Sequence, residues 1–288
     1  MRRKNKIWIA LGIFFLGIFL VVLAIGNLGG DIINSFNRPV IVNSSFTQQE
    51  ETFNLNNKLE IELSQMNKLD ITFTEIDTPK VNVSGELQDF KIIEAQGSTY
   101  IKSSNQICAN NITFACTEAQ IDTMIVSLPL NYDGSISVKS VNGDIAITSD
   151  ELQSLKAVKI DALHTNTSMK NINTNLEING AKVTGSFDNV GGNARIDALS
   201  ADLFLTNPPE TSDYNLNALN SSIDIKTTEL NYNVDTNGLH NELNDTLHNK
   251  VQKNTLTSVH SRYNSSIENT PYIRINIDGL KNSVMIHK

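Results

Sequence analysis

One pattern recurs seven times between Ile136 and the C-terminus, and it leaves few folds open: apolar, x, apolar, x, x, apolar, three residues, apolar, x, apolar. The copies are ISVKSVNGDIAI (136–147), VKIDALHTNTSM (158–169), LEINGAKVTGSF (176–187), ARIDALSADLFL (194–205), YNLNALNSSIDI (214–225), YNVDTNGLHNEL (232–243) and INIDGLKNSVMI (275–286). Their starts lie 22, 18, 18, 20, 18 and 43 residues apart. The third position is Val138, Ile160, Ile178, Ile196, Leu216, Val234 or Ile277, and the last is Ile147, Met169, Phe187, Leu205, Ile225, Leu243 or Ile286. Alternation of period two on both sides of a short polar corner predicts two strands per copy, each with one face buried. A lone amphipathic strand pair cannot bury that face, so the copies must stack. The expected fold is all-β, a repeat-built β-solenoid with a β-helix-like layout. Helical repeats are disfavoured, because the period is two and Asn, Asp, Gly and Thr crowd the segments.

A polar column accompanies the apolar ones. The fourth position is Lys139, Asp161, Asn179, Asp197, Asn217, Asp235 and Asp278, so after the first copy it is always Asp or Asn. Such side chains suit corners because they bond to nearby backbone and tolerate unusual φ. Where the copies are regularly spaced, Asp and Asn alternate, which gives each carboxylate an amide neighbour and avoids like-charge repulsion between rungs. Calcium is the rival reading, since these oxygens are hard-cation ligands. The glycine-rich nonapeptide that marks stacked calcium sites is missing, so a structural Asx ladder is the expectation.

Upstream, Arg2, Arg3, Lys4 and Lys6 precede an uncharged apolar run from Ile7 to Gly26. Its length matches a bilayer core of about 30 Å. The basic residues place residues 1–6 in the cytoplasm and everything after about Asn27 on the far side. A cleaved signal peptide is the alternative, with Ala24-Ile25-Gly26 as a small-x-small site. The run exceeds a usual h-region, which favours an uncleaved signal anchor over 7–26. Residues 27–58 read as a polar juxtamembrane spacer. The extracytoplasmic β-repeat domain then spans 59–288, with regular copies over 136–288, an insertion at 244–274 and less regular strands at its start.

Cys108 and Cys116, the only two cysteines, lie eight residues apart in QICANNITFACTE. Outside the membrane this spacing favours a hairpin disulfide, contributing roughly 2.5 kcal/mol in the chain-entropy model. The insertion carries His248 and His260, with His240 just before it, at spacings that do not indicate a metal site. Its Leu239, Leu243, Leu247 and Val251 also fit helical spacing, which leaves its structure open.

No nucleophile elbow, phosphate-binding loop, zincin helix or nucleotide fingerprint is present, and neither an enzymatic activity nor a cofactor is expected. Arg195 beside Asp197 is the sole neighbourhood resembling a polysaccharide lyase site, and Tyr214 and Tyr232 occupy apolar repeat positions where core is the default. Without the four N-terminal cations the rest of the chain carries 19 Lys plus Arg against 31 Asp plus Glu, a net charge of -12. That balance argues against nucleic acid and leaves divalent cations, envelope proteins and neutral glycans as possible partners.

The segment MIVSLPLNYDGSISVKSVNGDIAI (124–147) joins a strand ending in Leu-Pro to Val-x-x-x-Asn-Gly-Asp-Ile-x-Ile. Together with the copies and the single anchor, it resembles the bacterial family of candidate adhesins built from β-strand repeats, which includes LiaG-like envelope proteins. The resemblance covers roughly residues 59–288. It implies a surface-exposed β domain tied to adhesion or envelope stress, without an established reaction and without functional residues to carry over. The cysteine pair and the insertion after Leu243 depart from the family pattern.

Overall fold

The computed structural model describes residues 47–288 apart from 64, 86–89, 104–106, 109–115, 118–119, 228–231, 248–249, 256–258 and 264–272. The apolar run at 7–26 lies outside them. The described residues form β1 (Thr47–Thr52), β2 (Lys58–Glu62), β3 (Gln65–Thr74), β4 (Lys80–Gly85), β5 (Lys91–Ala95), β6 (Ser98–Lys102), β7 (Ile107–Cys108), β8 (Cys116–Thr117) and β9 (Gln120–Pro129). These are followed by β10 (Ser135–Ser154), β11 (Ala157–Asn173), β12 (Leu176–Gly191), β13 (Asn193–Thr206), β14 (Asp213–Lys226), β15 (Tyr232–Asp245), β16 (Lys250–Thr255), β17 (Val259–Tyr263) and β18 (Ile273–His287). All but β7 and β8 join one 16-stranded open sheet.

Each copy is a single long strand bent at its corner, in place of the two strands expected. Pairing with both neighbours continues past the bend, for example from Ser140↔Ala162 to Asn142↔His164 between β10 and β11. Neighbouring copies run parallel and in register, with Ile160 opposite Ile178, Ile178 opposite Ile196 and Ile196 opposite Leu216. Beyond the corner, Met169, Phe187, Leu205 and Ile225 form a second column in the same way. Both columns are buried, so every rung closes the apolar face of the next.

In the seven copies after Ile136, the residue paired at the fifth position is small: Ser140, Ala162, Gly180, Ala198, Ala218, Gly279 and Gly238. A Cβ at Gly279 would come within 2.1 Å of the Ala218 carbonyl, and one at Gly238 within 2.1 Å of the Gly279 carbonyl. Backbones pack against backbones here, which pins the corners in line.

The stack departs from chain order at its C-terminal end. Strand β18, the last copy in sequence, sits between β14 and β15, parallel to both. The insertion accounts for this: β17 pairs antiparallel with the first half of β15 and β16 with its second half, so β15 becomes the terminal rung and its outer edge is covered. The insertion is therefore β structure where described. The sixth copy is also read two residues out of frame in the sequence, since Val234 pairs with Ile275 and Asn237 with Asp278. A slip of two keeps each side chain on its own face, which hides it from hydrophobic patterning.

Two further rungs precede β10. Leu59 and Ile61 of β2 pair with Ile136 and Val138, and Leu69 and Ile71 of β3 with Ile145 and Ile147, so 58–74 is another copy whose corner is one residue longer. Next to it, β6 and β9 make a rung from separate segments, with Ile101 opposite Ile61 and Val126 opposite Ile71. The excursion holding both cysteines is inserted at the corner of that rung. Antiparallel β5 and β4 cover its outer edge, and β1 covers β4.

Candidate functional site

With the apolar columns turned inward, the chain's chemistry is displayed as rows crossing the rungs on the outside. The first row carries the Asx ladder. Along the stack it reads Lys102, Glu62, Lys139, Asp161, Asn179, Asp197, Asn217, Asp278, Asn237. Asn179 Nδ2 donates to Asp161 Oδ1 at 2.7 Å, Asn217 Nδ2 to Asp197 Oδ1 at 2.7 Å, and Asn237 Nδ2 to Asp278 Oδ1 at 3.1 Å. Asp235 is not in this row: the two-residue shift of its copy sets it opposite Asn276 and puts Asn237 beside Asp278. The inserted β18 and the shift together extend strict Asp/Asn alternation to the end of the row. Like charges then sit two rungs apart, about 9.6 Å at ordinary strand spacing and close to the Debye length of roughly 10 Å at 0.1 M salt.

A second polar row lies two residues earlier, with Lys159, Glu177, Arg195 and Asn215 on consecutive rungs. Lys159 Nζ is 2.7 Å from Glu177 Oε1. This hydrogen bond, with a second from the Asn179 amide, holds the Glu177 carboxyl below its ordinary range and raises the Lys159 ammonium. Lys102 acts likewise on Glu62 in the first row. Arg195 Nε reaches Asp197 Oδ2 at 2.8 Å as an exposed pair, so both groups are engaged with each other. Tyr214 and Tyr232 are core residues: Tyr214 donates to the Val190 carbonyl and Tyr232 to Asp245, both buried.

The sixth position belongs to the apolar pattern of the sequence, yet it points outward. Val141, Leu163, Leu199, Leu219, Leu280 and Leu239 are each between 41% and 59% exposed. With Ala181 they form a continuous apolar ridge at the corner, about 29 Å long at the roughly 4.8 Å rung spacing. Three residues separate it from the inward third position, an odd step that reverses the face; that parity was the available signal.

Beside the ridge runs a trough, which sequence reading missed. A hollow of about 770 Å³ is lined by seventh-, eighth- and ninth-position residues of β13, β14, β18 and β15, including Asn220, Ser222, His240 and Lys281. A second hollow of about 490 Å³ uses the same positions of β3, β10, β11 and β12, including Asn142, His164, Asn166 and Lys182. The floor of the first hollow, under β14, β18 and β15, is a buried polar ladder, in which Ser221 Oγ donates to Asn282 Oδ1 at 2.7 Å and Asn282 Nδ2 to Asn241 Oδ1 at 2.8 Å. Among the described residues no three His, Cys, Asp or Glu side chains converge as metal ligands. His240 lines the trough, whereas His248 and the side chain of His260 lie outside the described residues.

Cys108 and Cys116 pair directly across the small β7–β8 ladder; their side chains lie outside the description.

Among solved structures, the chain resembles a candidate cell adhesion protein from Clostridium sporogenes ATCC 15579 at 12% identity, covering 84% of this chain and 99% of that one with a TM-score of 0.38. A candidate adhesin from Bacteroides fragilis NCTC 9343 matches at 12% identity over 84% of this chain and 97% of that one, TM-score 0.37. One from Parabacteroides merdae ATCC 43184 matches at 12% identity over 85% and 98%, TM-score 0.30. No curated protein matches. The profile of the family described as Toastrack DUF4097 matches residues 56–259, more than half of the chain and nearly all of the rungs described above. On that match the chain belongs to the Toastrack DUF4097 family.

Proposed function

We propose that this protein is a binding or scaffolding module held at the bacterial cell envelope by one membrane span. Residues 1–6 form the cytoplasmic tail, 7–26 the anchor, 27–58 the spacer and 59–288 the displayed β-repeat domain. The observation that carries the reading is the set of outward rows. A stack whose rungs are locked by buried columns and backbone-tight corners holds polar and apolar side chains in fixed lines, which is what a preorganised recognition surface requires. Membership of the Toastrack DUF4097 family, with the sequence resemblance to candidate adhesins, supports it. The sequence supplies the membrane tether and an acidic displayed part, unsuited to nucleic acid. No catalytic role is assigned: the Asx row spends its carboxylates on neighbouring amides.

On the oxidising side of the membrane Cys108 and Cys116 form a disulfide in this reading. Directly opposed antiparallel residues have Cα atoms about 4.5–5.5 Å apart, within the range such a bond spans.

Two measurements test the proposal. A cysteine at Ser222, in a Cys108→Ser/Cys116→Ser background, should react with a membrane-impermeant maleimide on intact cells; reaction only after lysis contradicts the topology. A photo-crosslinker at Ser222 should capture an envelope component on intact cells. Capture equal to that at Val251, outside the trough, contradicts the binding role.

A further inference from the structure

We infer that the trough beside the leucine ridge takes an extended, uncharged glycan chain lying across the rungs. The inference deepens the binding-module reading and rests on it.

Shape comes first. The two hollows lie in line on adjoining strands, since Lys182 of β12 pairs with Ser200 of β13 and Thr184 with Asp202. Taken end to end, the line of the two hollows crosses eight neighbouring strands from β3 to β15, about 34 Å at the roughly 4.8 Å strand spacing. It is far too long for a compact small molecule and fits a linear polymer.

Its direction then selects the polymer. The trough runs across the strands, and the strands beneath it already bond on both sides to neighbours, parallel except at the outer side of β15, which takes antiparallel β16 and β17. A peptide recognised by strand addition needs a free edge parallel to it; the trough offers none, and antiparallel strands cover both ends of the stack. Charge excludes polyanions: Lys182 and Lys281 are matched by Asp144, Asp202 and Glu242 in the same lining. A phosphate or uronate chain needs clustered cations.

What remains is amides and hydroxyls in rows, such as Asn142, Asn220 and Ser222, with exposed apolar side chains alongside. The leucine ridge forms one bank. On the other side, Phe204 is 50% exposed and Met285 44% exposed, flanking Asp224 in one row two residues beyond the trough lining. Alternating hydroxyl edges and C–H faces are the chemistry of a neutral pyranose chain, and side chains of this kind match both.

The test titrates the full chain in detergent micelles with linear β-1,4 oligomers of glucose and of N-acetylglucosamine, from dimer to octamer. Oligogalacturonate and an extended uncharged peptide serve as comparisons. Affinity for at least one neutral series should rise with length, by about tenfold or more between dimer and octamer. Ser222→Trp should reduce it by a similar factor with the strand circular dichroism unchanged, as expected when one well-packed contact is lost. Asn166→Trp tests the other hollow if Ser222→Trp does not fold. Affinity independent of length, equal binding of oligogalacturonate or peptide, or indifference to both tryptophans overturns the inference. If no neutral oligomer binds while the Ser222 crosslinker still captures an envelope component, the glycan assignment falls and the binding-module reading stands; failure of both removes both.

Discussion

The interior of the stack and its two ends solve the same problem by different means. From β10 to β14 each rung is a near-copy of its neighbours, parallel and in register, and both faces of its ladder are satisfied by equivalents of itself. At the ends the partner changes sense. Antiparallel β5 and β4 close one edge, and antiparallel β16 and β17 close the other. The terminal rung β15 also replaces two apolar core positions with buried Thr236 and with Asp245, whose carboxylate accepts from Tyr232. The repeat thus supplies the stability of the middle, and unique contacts supply the stops. In a nearest-neighbour array, damage to the middle should be shared by many rungs, whereas damage to an end should stay local.

The largest effect belongs to the middle. Phe187→Ala on β12 removes a side chain only 1% exposed from the column between Met169 and Leu205. It should destabilise the domain by about 3–5 kcal/mol, read as a lower denaturant midpoint for the whole cooperative transition. A loss confined to one or two rungs would break the contrast between interior and ends. At the end, Asp245→Ala leaves the buried Tyr232 hydroxyl without that partner, at a cost of about 1–3 kcal/mol. Hydrogen exchange should accelerate in β15, β16 and β17 and hardly in β11 or β12; uniform acceleration would show that the end is not a separate unit.

How much of this could be read beforehand follows from face and parity. Columns such as Ile160, Ile178 and Ile196 were legible because alternation reports which face is buried whatever the neighbour. The place of β18 was not, because its pattern fits beside β14 as well as β15 does, and the choice rests on β16 and β17 sealing β15. The frame of β15 was hidden for a related reason: a shift of two residues preserves every face. The rung from β2 and β3 escaped because its corner is one residue longer, and that of β6 and β9 because the cysteine excursion divides it. The Asx row was visible except at Asp235, whereas the trough depends on which residues follow the corner bend and on strand order, neither of which a linear pattern carries.

Smaller effects sharpen the account of the outer rows. Asn179→Asp would insert a carboxylate between those of Asp161 and Asp197, so that three successive rungs carry like charge, at a cost of about 0.2–1 kcal/mol. The loss should shrink as salt rises from low to high ionic strength; a salt-independent loss would mean the alternation is not electrostatic. Smaller still is the response to acid. Glu62 and Glu177 are held below the ordinary carboxyl value of 4.5 by their lysine partners. Their contribution is fully present above that value and is lost as pH falls through the lower value of the folded state. Both pairs are exposed, so each should contribute under about 1 kcal/mol. Lys159→Met should reduce the Glu177 part of the slope, leaving the share held by the Asn179 amide, and leave that of Glu62 unchanged.

The central claim, that parallel copies stack in register with β18 between β14 and β15, is tested most directly by paired cysteines. In a background with Cys108 and Cys116 replaced by serine, Ser222→Cys with Ser283→Cys places two thiols on directly paired residues of β14 and β18. Ser222→Cys with Glu242→Cys places them two rungs apart, because Glu242 pairs with Ser283 on the far side of β18. That separation is about 9.6 Å, beyond the roughly 7 Å limit for a disulfide. Mild oxidation should crosslink the first pair rapidly and leave the second free; rapid crosslinking of the second pair and not the first would return the stack to chain order and contradict the account.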